Sequence, residues 1–356
     1  MQSIMRKLIL IIMLIILATF TIPIIFTVRF GDGGKNVKET GGTVDNEGNN
    51  ENENKEENFA QNGASLMGEN YEYKKYGTVK VLHTKDNSIE EMKMDEYLLG
   101  VVSAEMPADF EEEALKAQAV VARTYTVYKI EHNQSKHGEA DICDNSACCQ
   151  AWISKDDRMA RWDEDKRKSN WEKIEKAVSS TAGKVVTYNG EVIDAFFHSN
   201  SGGKTEEVSN VWGGSDLPYL QSVETSGEDA YSQYQSEAIF TKEEFEKKIK
   251  DKYPEFTIDY NDENCIKVIE YTQGDRVKTI KIGNLELSGV EVRSLLALRS
   301  ANFTTQISEN EIKFTVKGYG HGVGMSQTGA DSMAKQGSNY EEIIKHYYTG
   351  VEITNL

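Results

Sequence analysis

Three stretches of this 356-residue chain carry side chains suited to catalysis or to ligand binding. The first is Glu105, set in Val101-Val102-Ser103-Ala104-Glu105-Met106-Pro107. Apolar neighbours desolvate a carboxylate and favour its protonated form, which is the form a general acid needs at neutral pH. Capping the helix that starts beyond Pro107 is the commoner role for such a glutamate, because Glu is frequent at helix starts. The second stretch is His137-Gly138-Glu139-Ala140-Asp141-Ile142-Cys143-Asp144-Asn145-Ser146-Ala147-Cys148-Cys149, which holds three of the four cysteines. His137, Cys143, Cys148 and Cys149 would give zinc one nitrogen and three sulfurs, with His132 as an alternative nitrogen donor. A site closed by four protein ligands is structural, because it leaves no position for a catalytic water. A disulfide is the rival reading; with Cys265 as the fourth thiol, cysteine arithmetic leaves both open. The third stretch is a pair of loops. Ser199-Asn200-Ser201-Gly202-Gly203-Lys204-Thr205 offers hydroxyls, an amide and approachable backbone, suited to sugar hydroxyls or phosphate, although a plain turn has the same composition. Its end looks like a phosphate-binding loop, but His198 stands where that motif needs its first glycine, which counts against a nucleotide. Gly318-Tyr319-Gly320-His321-Gly322-Val323-Gly324-Met325-Ser326-Gln327 alternates glycines around one histidine, a sign of backbone packed closely against a ligand or another loop.

The elements that must position these residues follow from periodicity and turn chemistry. β-Branched residues over 78–83 and 89–92, joined through Asp86-Asn87, predict a hairpin. Residues 95–104 read as a short helix with Leu98, Leu99 and Val102 on its apolar face, broken at Glu105-Met106-Pro107 because a residue before proline avoids helical geometry. Asp109 and Glu112 have capping-box spacing for a longer helix running to about 128. Glu105 is therefore placed at the junction of two helices. Strands are expected at 184–188 and 192–198 across the turn Asn189-Gly190, the second delivering the Ser199 loop. From about 226 to 302 the composition becomes more charged, with a helix at 241–252, β-rich stretches at 265–272 and 277–282, and a helix at 290–298 capped by Ser288 and Glu291. A strand at 312–316 and helices at 328–335 and 340–348 complete the chain, the last capped by Ser338 and Glu341 and stopped at Gly350. The pattern predicts an α+β fold of mixed helices and sheets, with a smaller lobe inserted at about 226–302.

Composition bounds the partners. With 58 acidic against 40 basic residues the net charge is −18, which repels phosphate backbones and excludes nucleic acid. Residues 8–28 carry no charge, and at about 1.5 Å per residue they can cross a hydrocarbon core about 30 Å thick. The small-x-small pattern of a cleaved signal peptide fails at Ala18-Thr19-Phe20. An uncleaved anchor is expected, with residues 1–7 in the cytoplasm and the foldable part outside. Residues 29–70, rich in Gly, Asn and Glu, read as a disordered acidic linker. Residues 71–356 form the folded part.

Taken together, the Glu105 motif, Glu113-Ala114-Leu115-Lys116-Ala117-Gln118-Ala119-Val120-Val121-Ala122-Arg123-Thr124-Tyr125, the Ser199 loop with Trp212-Gly213, and residues 318–330 resemble the stage II sporulation protein D family, membrane-anchored lytic transglycosylases of endospore-forming bacteria. The resemblance implies that Glu105 is the catalytic acid/base, reversing the reading from its surroundings alone. It would protonate the glycosidic oxygen leaving N-acetylmuramic acid, then take a proton from that sugar's own C6 hydroxyl, giving a 1,6-anhydro end. The attacking oxygen belongs to the substrate, so no second carboxylate is needed. The matched positions imply that Ser199, Asn200, Gly203, Thr205 and Gln327 line a saccharide groove, with Arg123 and Tyr125 reaching it from the longer helix. Members of the family have zinc near the cysteine cluster, held by two Cys and two His. Here Cys148 stands where the second His is expected, so zinc would fall to His137, Cys143, Cys148 and Cys149. The implied partners are peptidoglycan glycan strands, the membrane through the N-terminal helix, and engulfment wall hydrolases such as an amidase with a membrane scaffold protein. The implied location is the mother-cell membrane at the engulfing septum, single-pass, with the catalytic domain extracytoplasmic. The same domain resembles the amidase-enhancer proteins, so a non-catalytic activator or glycan-binding component of a hydrolase complex is the second expectation. The apolar setting of Glu105 favours catalysis.

Overall fold

The computed structural model describes residues 76–132 and 136–356. The expected anchor at 8–28 and linker at 29–70 lie outside these residues. No helix among the described residues is long and apolar enough to cross a membrane. In chain order the elements are β1 (Thr78–His83), β2 (Ser88–Lys93), α1 (Met94–Glu105), α2 (Glu112–Glu131), β3 (Ile142–Cys143), α3 (Lys155–Arg161), α4 (Glu164–Ser180), β4 (Lys184–Tyr188), β5 (Glu191–Val192), β6 (Phe197–His198) and α5 (Val208–Trp212). There follow β7 (Gln235–Thr241), α6 (Lys242–Lys250), β8 (Ile266–Tyr271), β9 (Val277–Ile282), β10 (Leu285–Ser288), α7 (Gly289–Leu296), β11 (Asn302–Ile307), β12 (Glu311–Lys317), β13 (Met325–Ser326), α8 (Gln327–Lys335), α9 (Tyr340–Tyr347) and β14 (Glu352–Asn355). This is a mixed α+β architecture, as the sequence predicts.

The main core forms around α2. Its run of Ala, Val and Thr is buried on almost every side, from Ala114 to Val127, the mark of a central helix rather than a surface one. Against it pack α1, α4, α8, α9 and the small sheet β14-β4-β5. Thr124 and Thr126 can be buried here because their hydroxyls donate to the carbonyls of Val120 and Ala122 at 2.7 and 2.8 Å. The start of α2 differs from the expected Asp109–Glu112 capping box. Glu111 is the N-cap and has no side-chain cap bond; instead Asp331 of α8 accepts the Glu111 N–H at 2.6 Å. The acceptor is supplied across the core, where local spacing has no sight of it.

The strand expected at 192–198 splits in two. Glu191–Val192 completes the hairpin with β4, but Phe197–His198 leaves that sheet and pairs in parallel with Met325–Ser326. This crossover brings the Ser199 loop beside the Gly-rich loop. The closing helix is capped one residue later than expected, by Asn339 with Glu342. Ser338 is still occupied in ending α8, its N–H donating to Met333 O at 3.0 Å across Gly337 at φ +99°. Helices α3 and α4 and strands β7, β11 and β14 have no counterpart in the sequence reading.

The inserted lobe has its own core, built from Phe245, Phe256, Ile280, Phe303 and Phe314 among others. Its sheets are β10-β9-β8 and β11-β12-β7. Because β12 is the middle strand of the second sheet, the lobe runs from Gln235 to Lys317 rather than over the expected 226–302. Thr241 begins α6 with a complete capping box, Glu244 N donating to Thr241 Oγ1 at 3.2 Å and Thr241 N to Glu244 Oε2 at 3.0 Å. Thr241→Ala is expected to cost about 1 kcal/mol, read as a fall of about 2–4 °C in Tm by calorimetry.

Candidate active site and metal centre

Glu105 closes α1. Tyr97, Leu98, Val101 and Val102 bury the helix, and Met106 takes the extended geometry that Pro107 requires. The carboxyl thus turns into a groove of about 560 Å³ whose walls include Ala108, Arg158, Trp162, Ser199, Gln327 and Thr328. Glu105 Oε1 accepts the Ala151 N–H at 2.6 Å, and Oε2 accepts Gln327 Nε2 at 3.2 Å. Burial pushes its pKa above the usual carboxylate range, and these two bonds to the ionised form only partly oppose the shift. The residue is a half-buried carboxyl with a raised pKa at the wall of a groove rather than an exposed cap.

The donor to Oε1 is held by its neighbours. Gln150 is buried and donates to Tyr97 OH at 2.9 Å and Thr126 Oγ1 at 3.0 Å. Trp152 packs directly against Gly100, where any added Cβ would stand 2.2 Å from the indole nitrogen. On the other side of the groove, β6 and β13 carry the two loops. Gly324 packs so close to β6 that a Cβ would fall 1.9 Å from Phe196 O, and its φ is +72°; only glycine fits.

A buried carboxylate that the sequence reading missed ties these loops together. Glu228 accepts the N–H groups of Ser201 at 2.8 Å and Gly203 at 2.9 Å, and the hydroxyls of Ser201, Ser326 and Thr328. Nothing in Gly227-Glu228-Asp229-Ala230 signals this role. Arg276, buried at the base of the inserted lobe, donates to Ser201 O at 2.9 Å and Lys204 O at 3.0 Å from the opposite side.

Of the expected groove residues, Glu105, Ser199 and Gln327 share the groove. Asn200, Gly203 and Thr205 are spent within the loops. Asn200 Nδ2 donates to Thr328 Oγ1 at 2.8 Å, Gly203 N to Glu228, and Thr205 Oγ1 accepts Val223 N at 2.8 Å. Arg123 and Tyr125, expected to reach the groove, do not line it. Arg123 is completely buried, donating to Thr181 O at 2.9 Å and Lys184 O at 3.2 Å and lying 3.6 Å from Asp95; a guanidinium inside the core goes where unpaired carbonyls are, here at the end of α4. Tyr125 is buried with its ring 6.1 Å from Phe196. Sequence reasoning also missed Arg158, Arg161 and Trp162 of the groove wall.

The cysteine cluster is compact. The ligand atoms of His137, Cys143, Cys148 and Cys149 all lie within 4.8 Å of one another. His137 Nε2 is 3.3 Å from Cys149 Sγ and 3.6 Å from Cys148 Sγ. Ligands at about 2.3 Å from a tetrahedral ion stand about 3.8 Å apart, so the set fits zinc with little adjustment. All four cysteines of the chain are free thiols, and Cys265 sits in the other core. His132 is not in the group; its ring stacks on Tyr128 at 3.9 Å. Burial, with Cys143 and Cys148 nearby, pushes the Cys149 thiol up to about 12, a penalty that a divalent cation reverses. Ala151 follows Cys149 by two residues, so the loop this cluster closes also presents the N–H that binds Glu105.

Residues 83–188, which hold Glu105 and the whole cysteine cluster, match the family model described as "Stage II sporulation protein". The chain is 37% identical over 279 residues to stage II sporulation protein D of Bacillus amyloliquefaciens, covering 78% of each chain. It is 36% identical over 279 residues to stage II sporulation protein D of Bacillus subtilis, covering 78% of this chain and 79% of the relative. It is also similar to the amidase enhancer of Bacillus subtilis, at 30% identity over 306 residues, covering 72% of this chain and 40% of that protein. With identity above one third sustained over more than three quarters of both sequences, this chain belongs to the stage II sporulation protein D family of sporulation proteins.

Proposed function

We propose that the folded part is a peptidoglycan lytic transglycosylase that cleaves glycan strands between N-acetylmuramic acid and N-acetylglucosamine. The observation that carries this reading is Glu105, a carboxyl with raised pKa at the wall of a groove of about 560 Å³. Protonated Glu105 donates to the glycosidic oxygen as the bond from C1 to that oxygen breaks. The resulting carboxylate then takes the proton of the C6 hydroxyl, whose oxygen closes on C1 to give the 1,6-anhydro end. The other groove carboxylates, Asp109 and Asp163, are exposed, which suits a reaction that needs no second buried acid.

Zinc held by His137, Cys143, Cys148 and Cys149 is structural in this reading, and the four protein donors leave it no open position. What the metal supplies is rigidity to the loop that ends at Ala151. Residues 8–28 anchor the enzyme in the membrane that engulfs the forespore, and the acidic segment 29–70 lets the extracytoplasmic domain search the nearby wall. An amidase and a membrane scaffold protein are the partners this setting calls for. The similarity to the amidase enhancer supports a second reading, an activator that binds glycan without cutting it.

Mass spectrometry of products from purified sacculi separates the readings. Anhydro ends are expected; reducing ends would replace the mechanism by hydrolysis, and untouched strands would leave the activator. Gln327 tunes the acid. Its amide donates to the ionised form, so Gln327→Ala is expected to raise the Glu105 pKa further and to move the alkaline limb of the kcat/KM profile to higher pH.

A further inference from the structure

The groove that holds Glu105 also holds a cationic pair with no anion to answer it. Arg158 and Arg161 of α3 both line it. The Arg158 guanidinium lies 4.9 Å from the centre of the Trp162 ring, which fixes its direction, and its Nε is buried without a hydrogen-bond partner. Burial and the neighbouring charge of Arg161 both weaken the hold of Arg158 on its proton. The acids at hand do not relieve this. Asp163 is engaged by Lys166 at 3.4 Å, and among the described residues no carboxylate forms an ion pair with Arg158 or Arg161. In a chain of net charge −18, two guanidiniums left together in the one groove with a proton donor mark the place of a ligand's own negative charge.

We propose that Arg158 and Arg161 form an anion subsite that takes a carboxylate carried by the glycan strand. The planar fork of a guanidinium matches a carboxylate with two parallel hydrogen bonds, a fit that a sugar hydroxyl cannot give. The proposal rests on the groove being the glycan site. Wall glycan offers carboxylates from two sources, the lactyl group on its own sugar ring and the peptide that can extend from that group. The subsite selects charged strands over neutral polysaccharides of the same shape.

The test is equilibrium binding in the Glu105→Gln chain, so that strands survive the measurement. Three defined ligands are compared: peptide-free strands with free lactyl carboxylates, the same strands with those carboxylates converted to methyl amides, and peptide-bearing strands. The affinity ratio of charged to neutralised strands is expected to be about tenfold or more, and to fall to about one in Arg158→Gln/Arg161→Gln. Arg158→Lys is expected to restore part of the preference, as a point charge does. If the double variant is misfolded by circular dichroism, Arg161→Gln decides alone, because that residue is exposed, and it is expected to reduce the ratio at least about threefold. Preference confined to peptide-free strands assigns the carboxylate to the sugar; preference confined to peptide-bearing strands assigns it to the peptide. Equal ratios in parent and variants, or strands bound with no charge preference, overturn the subsite while leaving the glycan reading standing. Absence of binding to any of the three ligands overturns that reading too.

Discussion

Glu105→Gln is expected to lower the release of anhydro ends by about 10²- to 10⁴-fold, the usual contribution of a positioned proton donor, while glycan affinity changes by less than about tenfold. The amide keeps the shape, and its oxygen can still accept the Ala151 N–H that now bonds Oε1. What it loses is the transferable proton. Stability should move the other way. Burial raises the folded-state pKa of Glu105 above its ordinary value of 4.5, so below 4.5 the protonated carboxyl costs nothing, and the penalty grows as pH rises through the raised value. Gln carries no such penalty. The variant is therefore expected to be at least as stable as the parent at neutral pH, with any advantage disappearing below 4.5. Parent-level product release by this variant, measured by mass spectrometry, would remove Glu105 from the reaction.

Removing the zinc proposed for the cysteine cluster is expected to have the largest effect on stability. Elemental analysis of protein purified without added metal should give one zinc per chain, and a chelator or Cys149→Ser should lower Tm by on the order of 10 °C, because structural sites contribute several kcal/mol of folding energy. Product release should fall with it. The physical route is short: the loop through Cys148 and Cys149 leads within two residues to Ala151, whose N–H bonds Glu105 Oε1 at 2.6 Å, so loosening that loop is expected to disturb the acid. A chain that contains no metal and is indifferent to chelation would refute the zinc assignment.

What could be read from the sequence, and what could not, follows a physical division. Signals within one element were legible. Pro107 ends α1 at Glu105, Ser288 caps its helix, and four metal-type donors within thirteen residues come together in space. Interactions across the core were not. The α2 start is completed by Asp331, more than two hundred residues away, and β6 joins β13 instead of continuing the hairpin begun at β5. Arg123 looked like a groove residue because it lies in a motif, yet it serves the carbonyls at the end of α4. Helix α3, short and with no buried residue, gave no periodic signal, so the cationic wall of the groove stayed invisible.

Glu228 has a consequence for how this protein can change over time. One buried carboxylate receives hydroxyls from Ser201 on one loop and from Ser326 and Thr328 on the other. Exchanging any of these for an apolar side chain leaves a charge partly stranded away from water, and only a compensating exchange at the carboxylate or across the gap relieves it. The two loops that Glu228 joins therefore form a single heritable unit: lineages should alter them in concert, and transplanting one loop from a distant cousin without its mate should spoil both.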